Sequence, residues 1–218
     1  MTKKIKIGVI TSSRADYGQL RNLIKLMKHD KKIILQLIVI GSHFNKNRGY
    51  SFKEIVKDKF KISAKLKLKQ SKFGPKDISN YTSETLKGVS KIIIKLKPHM
   101  ILLLGDRYET FAAASAALFH NIPLVHLHGG EVTSGVIDEP IRHSITKMSD
   151  IHFVANNIFK KRIRRMGEKE KNIFNVGSLT AENVKSFKKK GKNEIEKKFN
   201  FKFKKKKFYC HSPSRKRI

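Results

Sequence analysis

Short aliphatic runs alternate with longer amphipathic stretches along most of this chain. Residues 5–10, "IKIGVI", and 33–41, "IILQLIVIG", read as strands. Between them, Leu20, Leu23, Ile24 and Met27 share one face of a 3.6-residue period, so the spacing predicts a helix over 17–29. A short helix is expected near 52–60 and a brief edge strand at "KLKL". A longer helix is expected from residue 78, closing before Pro98. The run "MILLLG" at 100–105 is too apolar for a half-exposed strand and predicts one buried on both faces. An Ala-rich helix at 108–120 follows, then a strand at 122–128, a helix at 138–149 and a strand at 150–155. A helix at 157–167 and a last strand at 172–177 complete the series.

Apolar strands alternating with amphipathic helices imply βα units on a Rossmann-like parallel sheet with helices on both faces, an α/β fold. Ligands in such folds bind outside the carboxyl ends of the strands. The polar clusters fall there: "SSRADYG" after the first strand, "GSHFN" after the second, "GDRYE" after the run at 100–105, and "HGGE" after the next. The texture changes near Lys185 to a Lys-rich stretch. The expected organisation is therefore a domain over 1–184 and a basic connector with an atypical tail over 185–218.

Charge changes this picture little. The formal net charge is +32, which admits nucleic-acid binding. The cations are mostly Lys, spread along helix faces, and no nucleic-acid-binding signature accompanies them. A Lys-rich background is the preferred reading, with no specific nucleic acid expected. The single cysteine, Cys210, allows no intramolecular disulfide and fits a reducing compartment. No window approaches the length of a membrane span and the N-terminal run is too short for a signal segment, so a cytoplasmic protein is expected.

The strand-end residues each admit two readings. Asp106 is a base or hydroxyl-orienting acceptor, or the N-cap of the next helix. Arg14, with neighbouring backbone amides, suits an anion such as a diphosphate, or is a solvent-exposed side chain. His43 is a ligand contact or a loop histidine. Neither a G-x-G-x-x-G loop nor a Walker A loop is present. The stretch "HLHGGEVTSGVIDEPIRH", 126–143, is the densest cluster. His126 and His128 share one face of a strand, so a metal pair is geometrically allowed. Further ligands would follow a flexible Gly129–Gly130 turn, however, and no metal is expected. Glu131 and Asp138 then stand as acid/base carboxylates. Asp138 and Glu139, beside Pro140 at the first helical position, also read as helix-start charge.

In order along residues 4–187, "TSSRADYG", "GDRYET", "HLHGGEVTSGVIDEPIRHSITKMSD" and "NVGSLTAENV" resemble the hydrolysing UDP-N-acetylglucosamine 2-epimerases, most of all those of sialic and legionaminic acid biosynthesis. The resemblance implies the N-terminal half of a glycosyltransferase-B-type fold and no metal or other cofactor. It implies elimination of UDP from UDP-GlcNAc to a 2-acetamidoglucal, then hydration to N-acetylmannosamine. A UDP-diacetamido sugar is an equally open substrate. By position, Asp106 and Asp138 match acid/base carboxylates, and His128 stands where some members carry a catalytic Glu. Glu131, Arg142 and His143 belong to the same signature. Arg14, His43 and Arg107 are expected on the substrate. The family's second domain is expected to be missing, through a frameshift in the Lys run at 204–207 or a split gene, leaving the chain inactive alone. Expected partners are the UDP-sugar, a second copy of the chain and a separately encoded second domain. The rival expectations are a sugar transferase of the same fold and a basic nucleic-acid-binding domain.

Overall fold

The computed structural model describes residues 4–68, 75–186, 191–200 and 202. The Lys run at 204–207 and the tail with Cys210 lie outside them. Seven parallel strands form one sheet in the order β3-β2-β1-β4-β5-β6-β7. They are β1 (Ile5–Thr11), β2 (Ile33–Ile40), β3 (Ile62–Leu66), β4 (Met100–Leu104), β5 (Leu124–Leu127), β6 (Ile151–Val154) and β7 (Ile173–Asn175). The helices are α1 (Arg14–His29), α2 (Phe52–Lys57), α3 (Pro75–Leu96), α4 (Tyr108–Phe119), α5 (Asp138–Lys147), α6 (Asn157–Arg165), α7 (Leu179–Ser186) and α8 (Lys192–Phe199). Among the described residues no helix is long and apolar enough to cross a membrane.

The period-2 alternation of strand side chains builds two cores. Ile38, Ile40, Ile101 and Leu103 face α3, α4 and α5, meeting Val89, Ile93 and Ile145. Leu37, Val39, Leu102 and Leu104 face the other way, onto Tyr17, Leu20, Ile24 and Met27 of α1 and Ile55 of α2. Both sides of the central strands are therefore dry, as the unbroken "MILLL" run implies. Burying each large aliphatic side chain contributes about 1.5–3 kcal/mol. The alanines of α4 (Ala112, Ala113, Ala114, Ala116 and Ala117) are fully buried, and their small volume lets α4 lie close to the sheet and α3.

Several boundaries differ from the pattern. Helix α1 starts at Arg14, because Ser13 and Asp16 form a capping box that reads as loop chemistry. The edge strand is Ile62–Leu66, earlier than "KLKL". Pro140 is the third residue of α5, with Ile137 as N-cap; its missing N–H still falls among the first-turn donors that have no helical acceptor. Helix α7 runs through the expected boundary at 184/185.

One buried polar group ties the middle of the sheet to α5. The His126 side chain, on β5, is wholly inaccessible. Its Nε2–H donates to the Gly105 carbonyl (2.9 Å), and Nδ1 lies 3.2 Å from Thr146 Oγ1. Burial, aided by nearby His152 and Arg142, holds its pKa at about 3 against the hydrogen bond to Gly105. Burial likewise lowers His43 and His152.

Two outcomes follow. In the unfolded chain His126 binds a proton near pH 6.5, whereas the folded chain resists it down to about 3. Its contribution is thus fully present above 6.5 and falls by about 1.4 kcal/mol per pH unit between those values. Urea midpoints measured from pH 7 to 4 are expected to fall more steeply for the wild type than for His126→Gln; equal slopes count against the buried neutral imidazole. The second concerns Gly130, whose φ is +74° and whose added Cβ would sit 2.8 Å from the Phe159 carbonyl oxygen and 2.9 Å from Ile163. Gly130→Ala is expected to cost about 2–5 kcal/mol in urea unfolding. Gly49→Ala, with φ +84° but open space around it, should cost only the backbone part of that.

Candidate functional site

The strand order reverses between β1 and β4, and a crevice opens there at the carboxyl ends. A hollow of about 150 Å³ occupies it. The N-cap Ser13 and the first turns of α1 (Asp16 and Gln19) line one side, the turn after β4 supplies Asp106 and Arg107, the turn after β5 supplies His128 and Glu131, and α5 supplies Arg142.

Arg142 is the centre of this group. Its side chain is only 8% exposed. Nη2 pairs with Asp106 and also donates to Thr133 Oγ1 at 3.0 Å, while Nη1 donates to Glu131 at 3.0 Å. One planar cation thus spans two carboxylates from two different loops, which suits the fork geometry of Arg and not a Lys. Glu131 in turn lies 2.8 Å from His128 Nδ1. Burial disfavours the Glu131 anion, but the His128 hydrogen bond and the charges of His128 and Arg142 outweigh it. Its pKa is held below the usual carboxylate range.

The consequence for His128 is a defined tautomer. Nδ1–H donates to an ionised Glu131, so in the neutral ring Nε2 carries the lone pair. Nε2 is buried and has no hydrogen-bond partner among the described residues. The backbone of His128 has φ +63°, an unfavourable region for a residue with a side chain. Its amide is fixed by the Phe153 carbonyl at 3.0 Å. Strain of this kind recurs at functional sites.

The remaining expected residues fall around the hollow rather than all within it. Arg107 lines it, and its guanidinium is held by Glu109 through two 3.0 Å bonds. Burial opposes the Arg107 charge, yet Glu109 raises its pKa above the ordinary Arg value. Asp106 is not the N-cap of α4: that position is Arg107, and the Asp106 carboxylate is turned to Arg142. Arg14 sits on the opposite flank of α1, where it pairs with Glu54 at 3.0 Å and is 74% exposed. The amides beside it are already occupied. Ser12 N–H and Ser13 N–H donate to Asp16, which also accepts from the hydroxyls of Thr11 and Ser12. The expectation that these amides cradle an anion is corrected on that ground. His43 is fully buried under the same turn, 2.9 Å from Thr11 Oγ1 and 2.8 Å from Ser51 Oγ, and does not reach the hollow. Asp138 opens α5 outside the lining, half-buried. His143 bonds Glu139 at 3.1 Å, and Glu139 accepts from the Thr133 amide, which lowers the Glu139 pKa.

Sequence reasoning missed Asp16, Gln19, Thr133 and Glu109. The Ser13-x-x-Asp16 spacing, an N-terminal capping pattern, was the available signal for Asp16. Nothing in the sequence singles out Thr133. A larger groove of about 710 Å³ runs along α1, lined by Arg14, Tyr17, Lys25, Lys28, Asp58 and Asn183 among others. It lies off the strand ends, and its best-ordered polar contacts are internal: Tyr17 donates to Asp58 at 2.5 Å and Arg21 pairs with the same carboxylate. The smaller hollow, lined by Asp106, Arg107, His128, Glu131 and Arg142 at the strand ends, is the candidate site. Among the described residues no group of three His, Cys, Asp or Glu side chains is placed to hold a metal ion.

Comparison with known proteins agrees with the fold. Residues 25–212 match the UDP-N-acetylglucosamine 2-epimerase family. The chain is 42% identical over 194 residues to a GDP/UDP-N,N'-diacetylbacillosamine 2-epimerase (hydrolyzing) of Campylobacter jejuni, covering 89% of this chain and 50% of the relative. It is 37% identical over 196 residues to the UDP-N,N'-diacetylbacillosamine 2-epimerase (hydrolyzing) of Legionella pneumophila, covering 90% and 52%. It thus spans about half the length of the curated relatives it matches. The solved UDP-GlcNAc 2-epimerase of Methanocaldococcus jannaschii in complex with UDP-GlcNAc and UDP is similar in fold, with TM-score 0.74 and 23% identity over 90% of this chain and 53% of that one. A lipopolysaccharide outer core galactosyltransferase shares the fold more distantly, with TM-score 0.56, 14% identity and coverage of 79% and 45%. These likenesses fit the N-terminal half of a glycosyltransferase-B-type fold. The chain belongs to the UDP-N-acetylglucosamine 2-epimerase family.

Proposed function

We propose that this chain supplies the sugar-facing half of a UDP-hydrolysing 2-epimerase acting on a UDP-2-acetamido sugar. The substrate is UDP-GlcNAc or a UDP-diacetamido analogue. UDP-GlcNAc would give UDP and N-acetylmannosamine through a 2-acetamidoglucal. The observation that carries the reading is the linked set Asp106–Arg142–Glu131–His128 around a hollow at the strand ends, in which the buried His128 Nε2 has no hydrogen-bond partner among the described residues.

The chemistry follows from that set. His128 Nε2 takes the C2 proton, the bond from C1 to the diphosphate oxygen breaks, and its electrons leave with UDP as C1=C2 forms. Water then adds its oxygen to C1, and a proton returns to C2 on the opposite face. Glu131 holds the His128 tautomer and steadies the imidazolium, as an orienting carboxylate does for a general base. Asp106, pinned by Arg142, accepts from a sugar hydroxyl or the incoming water. Asp138, at the start of α5, is the second acid/base carboxylate of the reading. Arg14, Arg107 and His143 are assigned to substrate binding, and His43 to packing under the β1–α1 turn.

A hollow of 150 Å³ is smaller than the roughly 300–1,000 Å³ of pockets that enclose a ligand. It is one wall of a site. The relatives' doubled length supports a second wall from further sequence, in this chain's longer form or in a separate polypeptide. Activity is therefore proposed for the whole protein and expected to be weak or absent in these 218 residues alone.

In D₂O enriched with ¹⁸O, the assembled protein is expected to release UDP without an acceptor and to place deuterium at C2 and ¹⁸O at C1 of the free sugar, read by mass spectrometry. Sugar transfer only to an added acceptor, without exchange at C2, would overturn the epimerase reading. His128→Asn should lower kcat by about 10²–10⁴-fold, and Glu131→Gln by a smaller factor. Unchanged kcat in His128→Asn removes His128 as the base.

A further inference from the structure

His126 stood out in the sequence, yet the proposed mechanism does not use it. It is wholly buried and lines no hollow described above. Its two contacts reach the two backbone segments that carry the central ion pair. Nε2–H donates to the carbonyl of Gly105, the residue immediately before Asp106. Nδ1 faces Thr146 Oγ1, and that hydroxyl also lies 3.0 Å from the Arg142 carbonyl, one helical turn earlier on α5. One ring therefore joins the turn that presents Asp106 to the turn of helix that presents Arg142.

We propose that His126 is a positioning residue whose imidazole fixes the Asp106 turn and the Arg142 turn relative to each other. Three further features fit this role. Gly105 has φ +88°, a left-handed turn that suits glycine, and its carbonyl accepts the His126 N–H. The ring is neutral, so its one N–H is committed to Gly105 and Nδ1 can only accept. The single Thr146 hydroxyl proton goes either to Nδ1 or to the Arg142 carbonyl, and in both cases the ring packs against the α5 turn that carries Arg142. Gly129 lies over the pair: a Cβ there would come within 3.0 Å of both His126 Nδ1 and Thr146 Oγ1. The glycine next to His128 thus makes room for the His126–Thr146 contact, coupling the β5 turn to the same brace. Catalytic geometry is sensitive to displacements of this kind, since a misplacement of about 1 Å can cost about 10²-fold in rate.

The proposal rests on reading the Asp106–Arg142 pair as part of the site, but its test needs no substrate. The ¹⁵N-labelled 218-residue chain is compared with His126→Gln, His126→Leu and Thr146→Val by NMR. The readouts are exchange of the Arg142 guanidinium protons, the Gly105 and Asp106 amide positions, and urea midpoints. His126→Leu should exchange its Arg142 guanidinium protons at least about tenfold faster. His126→Gln, whose amide can still donate to Gly105, should stay close to wild type. Thr146→Val should loosen Arg142 while leaving the Gly105 amide in place. Wild-type Arg142 exchange in a folded His126→Leu, even with a lowered urea midpoint, would make the ring a packing element and overturn the proposal. Should His126→Leu fail to fold, unchanged Arg142 exchange in Thr146→Val overturns it instead. Absence of UDP release from the assembled protein would overturn the functional reading while leaving this comparison intact.

Discussion

The site depends on one buried guanidinium. Arg142 pairs with two carboxylates that the fold brings within reach from separate loops. Removing one partner from a buried pair leaves an uncompensated charge and typically costs about 3–5 kcal/mol. The sheet turns this local requirement into a global one. Asp106 follows β4, Glu131 follows β5, and Arg142 rises from α5 beside both. A correct Arg142 therefore demands correct strand order, crossovers and loop lengths. The same cluster gives chemistry. Against burial, the His128 hydrogen bond, with His128 and Arg142 charge, holds the Glu131 pKa below the usual carboxylate range. The Glu131 contact occupies His128 Nδ1, so Nε2 is the ring nitrogen without a partner among the described residues.

Much of this was legible in the sequence because two periodicities are strong. The unbroken run at 100–105 could only be a strand covered on both sides, and the 20, 23, 24, 27 spacing could only face a core from a helix. Parallel βα order followed, and with it the rim where polar loops gather. The helix starts were less legible. Ser13 and Asp16 look like loop residues because capping chemistry and loop chemistry use the same side chains. The pairing of residues was illegible for a related reason. Arg14 and Arg142 are equally plausible anion binders in one dimension, but α1 turns Arg14 toward Glu54, whereas α5 turns Arg142 inward. His43 and His126 look like site histidines by position and are instead buried braces.

The net charge of +32 leaves little mark on the site. Its cations are matched there by Asp106, Glu131 and Glu109, and the excess Lys is carried elsewhere. The chain belongs to the epimerase family and spans about half the length of the relatives it matches. In the β1–α1 turn, the Ser12 and Ser13 amides donate to Asp16.

The most direct test is where a nucleotide sugar touches the chain. Titrating the ¹⁵N-labelled protein with UDP-GlcNAc should shift the amides of Gly105 to Arg107 and His128 to Glu131 together with the Arg142 side chain. Shifts confined to the α1 groove around Lys25 and Lys28, with Arg142 untouched, would contradict the account.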